Sequence, residues 1–154
     1  MSGPLIMTTR SVDETLALGV SVGRSLVGGD FVALCGPLGA GKTQFVKGIA
    51  RGLETPADEP IISPTFVLMR EYQGRLKLHH LDLYRLAGDE DAAELGIEEL
   101  RTAGDAVVVV EWAERAPRLI PPGAWRVKFE HCGPDERRLE IVHPDPARLG
   151  RIGV

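Results

Sequence analysis

At 154 residues, 44% hydrophobic and 26% charged, the chain has material for one packed domain over its whole length, 1–154, with no need of disulfide or metal staples. A formal net charge of −4 with no block of basic residues argues against direct binding to free nucleic acid, where phosphate contacts dominate. No run approaches the roughly 20 apolar residues of a membrane span, and Met1–Met7 lacks the basic-then-apolar pattern of a secretory leader. A cytoplasmic setting with no membrane partner is the expectation, and the two cysteines, Cys35 and Cys132, fit a reducing compartment.

In chain order, Ser11 and Glu14 stand three apart as a capping box. Leu16, Val20, Gly23 and Val27 then recur at helical spacing, which predicts an amphipathic helix over 11–27. Its apolar face needs only a sheet to pack on. Thr9 and Ser11, before its start, could approach a bound base.

Phe31–Cys35 is an apolar run of strand length. It leads into Gly36-Pro37-Leu38-Gly39-Ala40-Gly41-Lys42-Thr43, the phosphate-binding loop pattern, with a helix running on to about Leu53. The residue types suit that chemistry. Glycines let the backbone curl its N–H groups around an anion, and the following helix aims its positive end at the same point. Lys42 supplies a point charge, and the Thr43 hydroxyl is a hard oxygen ligand for magnesium. The plain alternative is a Gly-rich turn that happens to hold Lys and Thr; three fixed positions between a strand and a helix argue against it.

Residues 54–62, rich in Pro and charge, read as a surface connection. Ser63-Pro64-Thr65-Phe66 follows. It is either a strand entry or a switch-like segment whose hydroxyls face a phosphate, a water or a metal. Runs 65–72 and 76–84 predict an antiparallel hairpin about Gln73-Gly74-Arg75. Alternation places His80, Asp82 and Tyr84 on one face and Leu81 and Leu83 on the other. That polar row could be a solvated face, or Asp82 could orient water or magnesium with His80 holding it in place.

Residues 88–100 read as a short acidic helical segment. Ala106–Val110 is a β-branched run, the mark of a strand buried on both faces. Glu111 at its C-terminal end stands where ligands of open α/β sheets bind, and is the candidate second acid for magnesium. Trp112 could stack on a base or cover the core edge; Arg115 could reach a phosphate or pair with a surface acid. Strands 125–131 and 138–143 form a second hairpin that closes the sheet on an antiparallel edge, with His131 and His143 as edge-strand residues. The tail, 144–154, reads as loose. The whole predicts an α/β fold: a mostly parallel central sheet with antiparallel hairpin strands and helices on both faces.

Gly36–Thr43, Ser63–Phe66, His80-Leu-Asp-Leu-Tyr-Arg85 and Val110-Glu-Trp112, in that order, resemble the TsaE (YjeE) family over about residues 8–145. The resemblance implies a P-loop NTPase fold and a magnesium-dependent ATPase needed for threonylcarbamoyl modification of the adenosine beside the anticodon of tRNA. It implies action on the TsaB–TsaD transferase complex, with tRNA reached only through that complex. Residue by residue, Gly36, Pro37, Leu38, Gly39, Ala40, Gly41, Lys42 and Thr43 would bind ATP, with Thr43 and Glu111 on Mg2+. Thr65 would lie in the switch-like segment, Trp112 near the nucleotide, and Ser11 near the base. Lys42, Asp82 and Glu111 would carry catalysis. With no arginine finger in view, turnover alone should be slow and the partners should complete the site. The rival readings are a small-molecule kinase and a regulatory nucleotide-binding module without catalysis.

Overall fold

The computed structural model describes residues 3–37, 39–64, 68–86, 88, 95–102 and 104–153. Seven strands form one sheet in the order β1-β7-β6-β2-β5-β4-β3. They are β1 (Leu5–Thr9), β2 (Phe31–Cys35), β3 (Met69–Tyr72), β4 (Lys77–Asp82), β5 (Ala106–Glu111), β6 (Trp125–His131) and β7 (Arg137–Val142). Among the described residues the helices are α1 (Val12–Ser25), α2 (Lys42–Gly52), α3 (Ile97–Thr102) and α4 (Pro146–Leu149), with short 3-10 turns at Ala113–Arg115 and Pro117–Leu119.

The centre is parallel: β2 pairs with β5 on one side and β6 on the other, and β4 pairs with β5. The four consecutive valines of β5 explain its place, since every residue of this strand is buried and β-branched side chains suit a sheet covered on both faces. The outer pairs, β3 with β4, β6 with β7 and β1 with β7, are antiparallel. Two apolar layers follow from the strand period of two. Val32, Leu34, Val107 and Val109 point toward α1 and α2. Phe31, Ala33, Val108 and Val110 point toward α3 and the turns at 113–120.

Several expectations change. β7 is not the edge of the sheet; β1, which the sequence reading leaves unassigned, pairs along it from Leu5–Ile141 to Thr9–Arg137. The buried stripe of α1 is Thr15, Leu18, Gly19, Val22 and Gly23, while Val27 is exposed beyond the helix. Residues 144–153 are docked rather than loose. Leu149 and Ile152 join the core, and Arg148 grips the carboxylate of Asp30 through both terminal nitrogens, at 2.8 and 2.5 Å. Such a paired, partly buried charge fixes the segment because freeing either partner would leave the other uncompensated. The hairpin around residue 74 is as expected from Met69 to Asp82. Its first residues, Thr65–Val67, lie outside the described residues, as does 89–94 of the acidic segment.

Candidate functional site

The parallel centre brings three strand ends to one margin. β2 ends at Cys35 and turns through the glycine-rich loop into α2; β5 ends at Glu111; β4 ends at Asp82, in register with Glu111. The turn is built by backbone states that glycine adopts easily: Gly36, Gly39 and Gly41 have φ of 143°, 76° and 100°. Gly41 is the N-cap of α2 and offers no side-chain cap, so the first N–H groups of the helix remain available to an anion. Gly39 through Gln44 line a cleft of about 360 Å³ together with Ser63, Asp82, Tyr84, Glu111 and Trp112.

Within it, the Thr43 hydroxyl donates to Glu111 Oε1 at 3.1 Å. The other oxygen of Glu111 meets His80 Nε2 at 2.5 Å. Glu111 is 2% exposed and His80 fully buried, so this contact is what makes a carboxylate tolerable at the end of an apolar strand. His80 therefore steadies Glu111 and not, as the sequence reading supposed, Asp82. Asp82 is held otherwise: Ser63 Oγ donates to its Oδ2 and the Tyr84 N–H to its Oδ1, both at 2.9 Å. Of the polar row, His80 and Asp82 are buried and so form no solvated face, whereas Tyr84 is 40% exposed.

Lys42 is itself buried. Its ammonium donates to the Gly36 carbonyl, with the Pro37 carbonyl at 3.4 Å, and sits 3.6 Å from the centre of the Trp112 ring. Burial pushes its pKa down, opposed by the carboxylates of Glu114, Glu111 and Asp82. Trp112 adopts a left-handed backbone, φ 58°, uncommon for a large side chain and characteristic of a constrained site. Its ring packs on Tyr84 at 5.0 Å between centroids, and Arg115 lies 5.6 Å from both rings. Trp112 thus caps the cleft while touching the core edge.

Ser11 is the N-cap of α1, its hydroxyl accepting from the Glu14 N–H at 3.1 Å. It lies in a smaller cavity of about 140 Å³ on the other flank of the loop, beside Gly39, Gly41 and Gln44. Leu38 and Thr65 lie outside the described residues. Glu114 went unnoticed in the sequence because it acts from afar: its Oε2 accepts from the Gly36 N–H at 3.1 Å. No local spacing signals such a contact. Among the described residues no group of three His, Cys, Asp or Glu could enclose a metal.

These features define an α/β protein whose central parallel strands present a glycine-rich turn, a lysine and two carboxylates at a single margin. Comparison with known proteins gives the family. The family model for threonylcarbamoyl adenosine biosynthesis protein TsaE matches residues 9–139. A tRNA threonylcarbamoyladenosine biosynthesis protein TsaE from Treponema pallidum is 48% identical over 134 residues, which span 87% of this chain and 97% of its own. The proteins of the same name from Mycobacterium tuberculosis and Bacillus subtilis are 39% identical over 147 residues and 36% over 135, covering 90% and 87% of this chain and 86% and 82% of theirs. The crystal structure of Bacillus subtilis YdiB superposes with a TM-score of 0.80 at 30% identity, over 98% of this chain and 93% of that one. The chain belongs to the TsaE family, a family of tRNA threonylcarbamoyladenosine biosynthesis.

Proposed function

We propose that the chain is a P-loop ATPase that works with magnesium and acts on the TsaB–TsaD transferase complex, meeting tRNA only through that complex. One observation carries this reading: the Thr43 hydroxyl, at the start of α2, is bonded to Glu111 at 3.1 Å inside the cleft that also holds Lys42 and Asp82. A hydroxyl and a carboxylate are hard oxygen donors, and magnesium is commonly held by one or two protein oxygens with phosphates and waters filling the rest. The absence of a three-carboxylate or histidine cage among the described residues agrees with an ion shared with a ligand. When bound, magnesium would neutralise charge on the triphosphate.

The remaining work belongs to the chain. The loop amides and the N-terminus of α2 bind phosphate oxygens, and Lys42 adds its charge in a site where burial strengthens it. Glu111, steadied by His80, orients the Thr43 hydroxyl. Asp82, fixed by Ser63 and the Tyr84 amide, accepts a hydrogen bond from the attacking water and orients it. Trp112 and Tyr84 keep the lysine side of the cleft apolar. Phosphoryl transfer needs positioning and charge neutralisation above all.

Phosphate release from ATP, measured with and without the TsaB–TsaD pair, tests the reading. Slow release alone, acceleration by the pair, and loss of at least about a hundredfold in Lys42→Ala are expected, since the lysine charge acts on the transferring group. A phosphorylated small molecule would point instead to a kinase. Binding without release under any partner condition would point to a regulatory module.

A further inference from the structure

Glycine-rich turns have much conformational freedom to lose on ordering, so a loop built this way needs something outside it to hold its shape. Gly39, with φ 76°, has nothing among the described residues within 4 Å of where a Cβ would stand, so none of them packs against that face. Besides Glu114 and Lys42, which bond to Gly36 at the start of the loop, a side chain from β7 reaches Gly39 itself. Arg137 Nη2 donates to the Gly39 carbonyl at 3.2 Å, across 98 residues of sequence. The N–H at the other end of the same peptide unit, that of Ala40, donates to the Pro37 carbonyl at 3.2 Å. The Gly39–Ala40 unit is therefore gripped at both ends.

Arg137 is well placed to act as an anchor. It opens β7, and its backbone is paired with His131 of β6 on one side and Thr9 of β1 on the other. Its Nη1 also donates to the carbonyls of Gly133 and Pro134, both at 3.3 Å, and of Glu136 at 3.0 Å. One planar guanidinium thus ties the β6–β7 turn to the glycine-rich loop, which a lysine's point charge could not reproduce. Arg137 and Asp135 also wall the cavity beside Ser11, Gly41 and Gln44, so the turn itself flanks the loop.

We propose that Arg137 is a positioning residue that pre-forms the phosphate loop, making nucleotide affinity depend on the β6–β7 turn; this rests on the ATPase reading above. The ordinary alternative is that Arg137 merely secures its own turn, where three of its four acceptors lie.

The test uses the full chain with Arg137→Ala, Arg137→Lys and, as a neighbouring control, Arg138→Ala. ADP is titrated in magnesium by calorimetry, phosphate release is followed at saturating ATP, and amide exchange at Ala40 is followed without nucleotide. The inference expects Arg137→Ala to bind ADP about tenfold more weakly, the equivalent of one charged hydrogen bond at its low end. It expects release at saturation to stay within about twofold of wild type and exchange at Ala40 to accelerate. Arg137→Lys should recover part of the affinity, and Arg138→Ala should match wild type. ADP binding within about twofold of wild type, with Ala40 as protected as before, would overturn it; should the alanine variant not fold, an Arg137→Lys protein equal to wild type does the same. Wild-type protein that binds no ADP would overturn the phosphate reading, and this inference with it.

Discussion

At the scale of single residues, the buried lysine of the candidate site rests its charge on an aromatic ring. The Lys42 ammonium lies 3.6 Å from the centre of Trp112, a cation–π contact. A phosphate in the loop would compete for the same ammonium, so Trp112 should report its arrival. Intrinsic fluorescence is expected to change when ADP is added to wild type and to Trp125→Phe, and to stay constant in Trp112→Phe. Trp125 is fully buried in the core and should be silent. That these residues meet in one cleft was legible in the sequence because each sits in a short motif: Lys42 and Thr43 in the loop pattern, Glu111 at the end of the valine run. Their partners were not. That His80 meets Glu111 depends on β4 and β5 lying side by side in register, which no spacing within His80–Arg85 encodes.

At the scale of elements, α2, which follows the loop, is seated against α1, and the close approach of the two helices runs through glycine. Gly19 and Gly23 of α1 face Gly48 and Gly52 of α2. A Cβ at Gly48 would stand 2.1 Å from the Leu16 carbonyl, and one at Gly19 would stand 2.3 Å from that of Phe45. Small residues four apart let two helix backbones meet closely. Alanine is favoured over glycine by about 1 kcal/mol within an isolated helix, yet here the sign reverses. Gly48→Ala should destabilise the chain by at least about 1–3 kcal/mol, the usual result of overpacking; urea unfolding checks it. This is why the apolar stripe of α1 was misread. The spacing of Leu16, Val20, Gly23 and Val27 includes Gly23 of the true contact, but hydrophobic periodicity gives no weight to Gly19, which meets Phe45 and Gly48. The edge strand β1 escaped for a related reason: Ile6 and Thr8 are exposed, and only pairing with distant β7 makes a strand of five otherwise undistinguished residues. The central strands, whose burial is written in valine and phenylalanine, were read with their ends nearly right.

At the scale of the whole molecule, burial of imidazoles couples the fold to acidity. His79 and His143 are both held below the ordinary histidine value, in each case chiefly by burial. His143 Nδ1 accepts the Asp145 N–H at 2.9 Å, its ring rests on Trp125, and the Arg148 guanidinium nearby further disfavours a positive charge. A lowered folded-state pKa means that the unfolded chain binds more protons in this range. Stability is therefore full above the unfolded value of about 6.5 and falls as pH drops through it toward the lowered folded values. Thermal midpoints taken from about pH 7.5 down to about pH 5.5 should decline, and His143→Gln should flatten the slope. The docking of the tail belongs to this scale too. Its Pro, Gly and Arg content looked like that of a free end, but Asp30 and Arg148 stand 118 apart in sequence, and only the completed fold joins them.

The bond from Thr43 to Glu111 spans 68 positions, and it has a consequence for how the molecule is made. A nascent chain still lacking β5 owns the loop but not the acid beneath it, and so has no cleft to fill. A nucleotide bound as proposed would then favour molecules in which both parts of the cleft are folded, and by mass action would shield them from proteases that prey on partly opened ones.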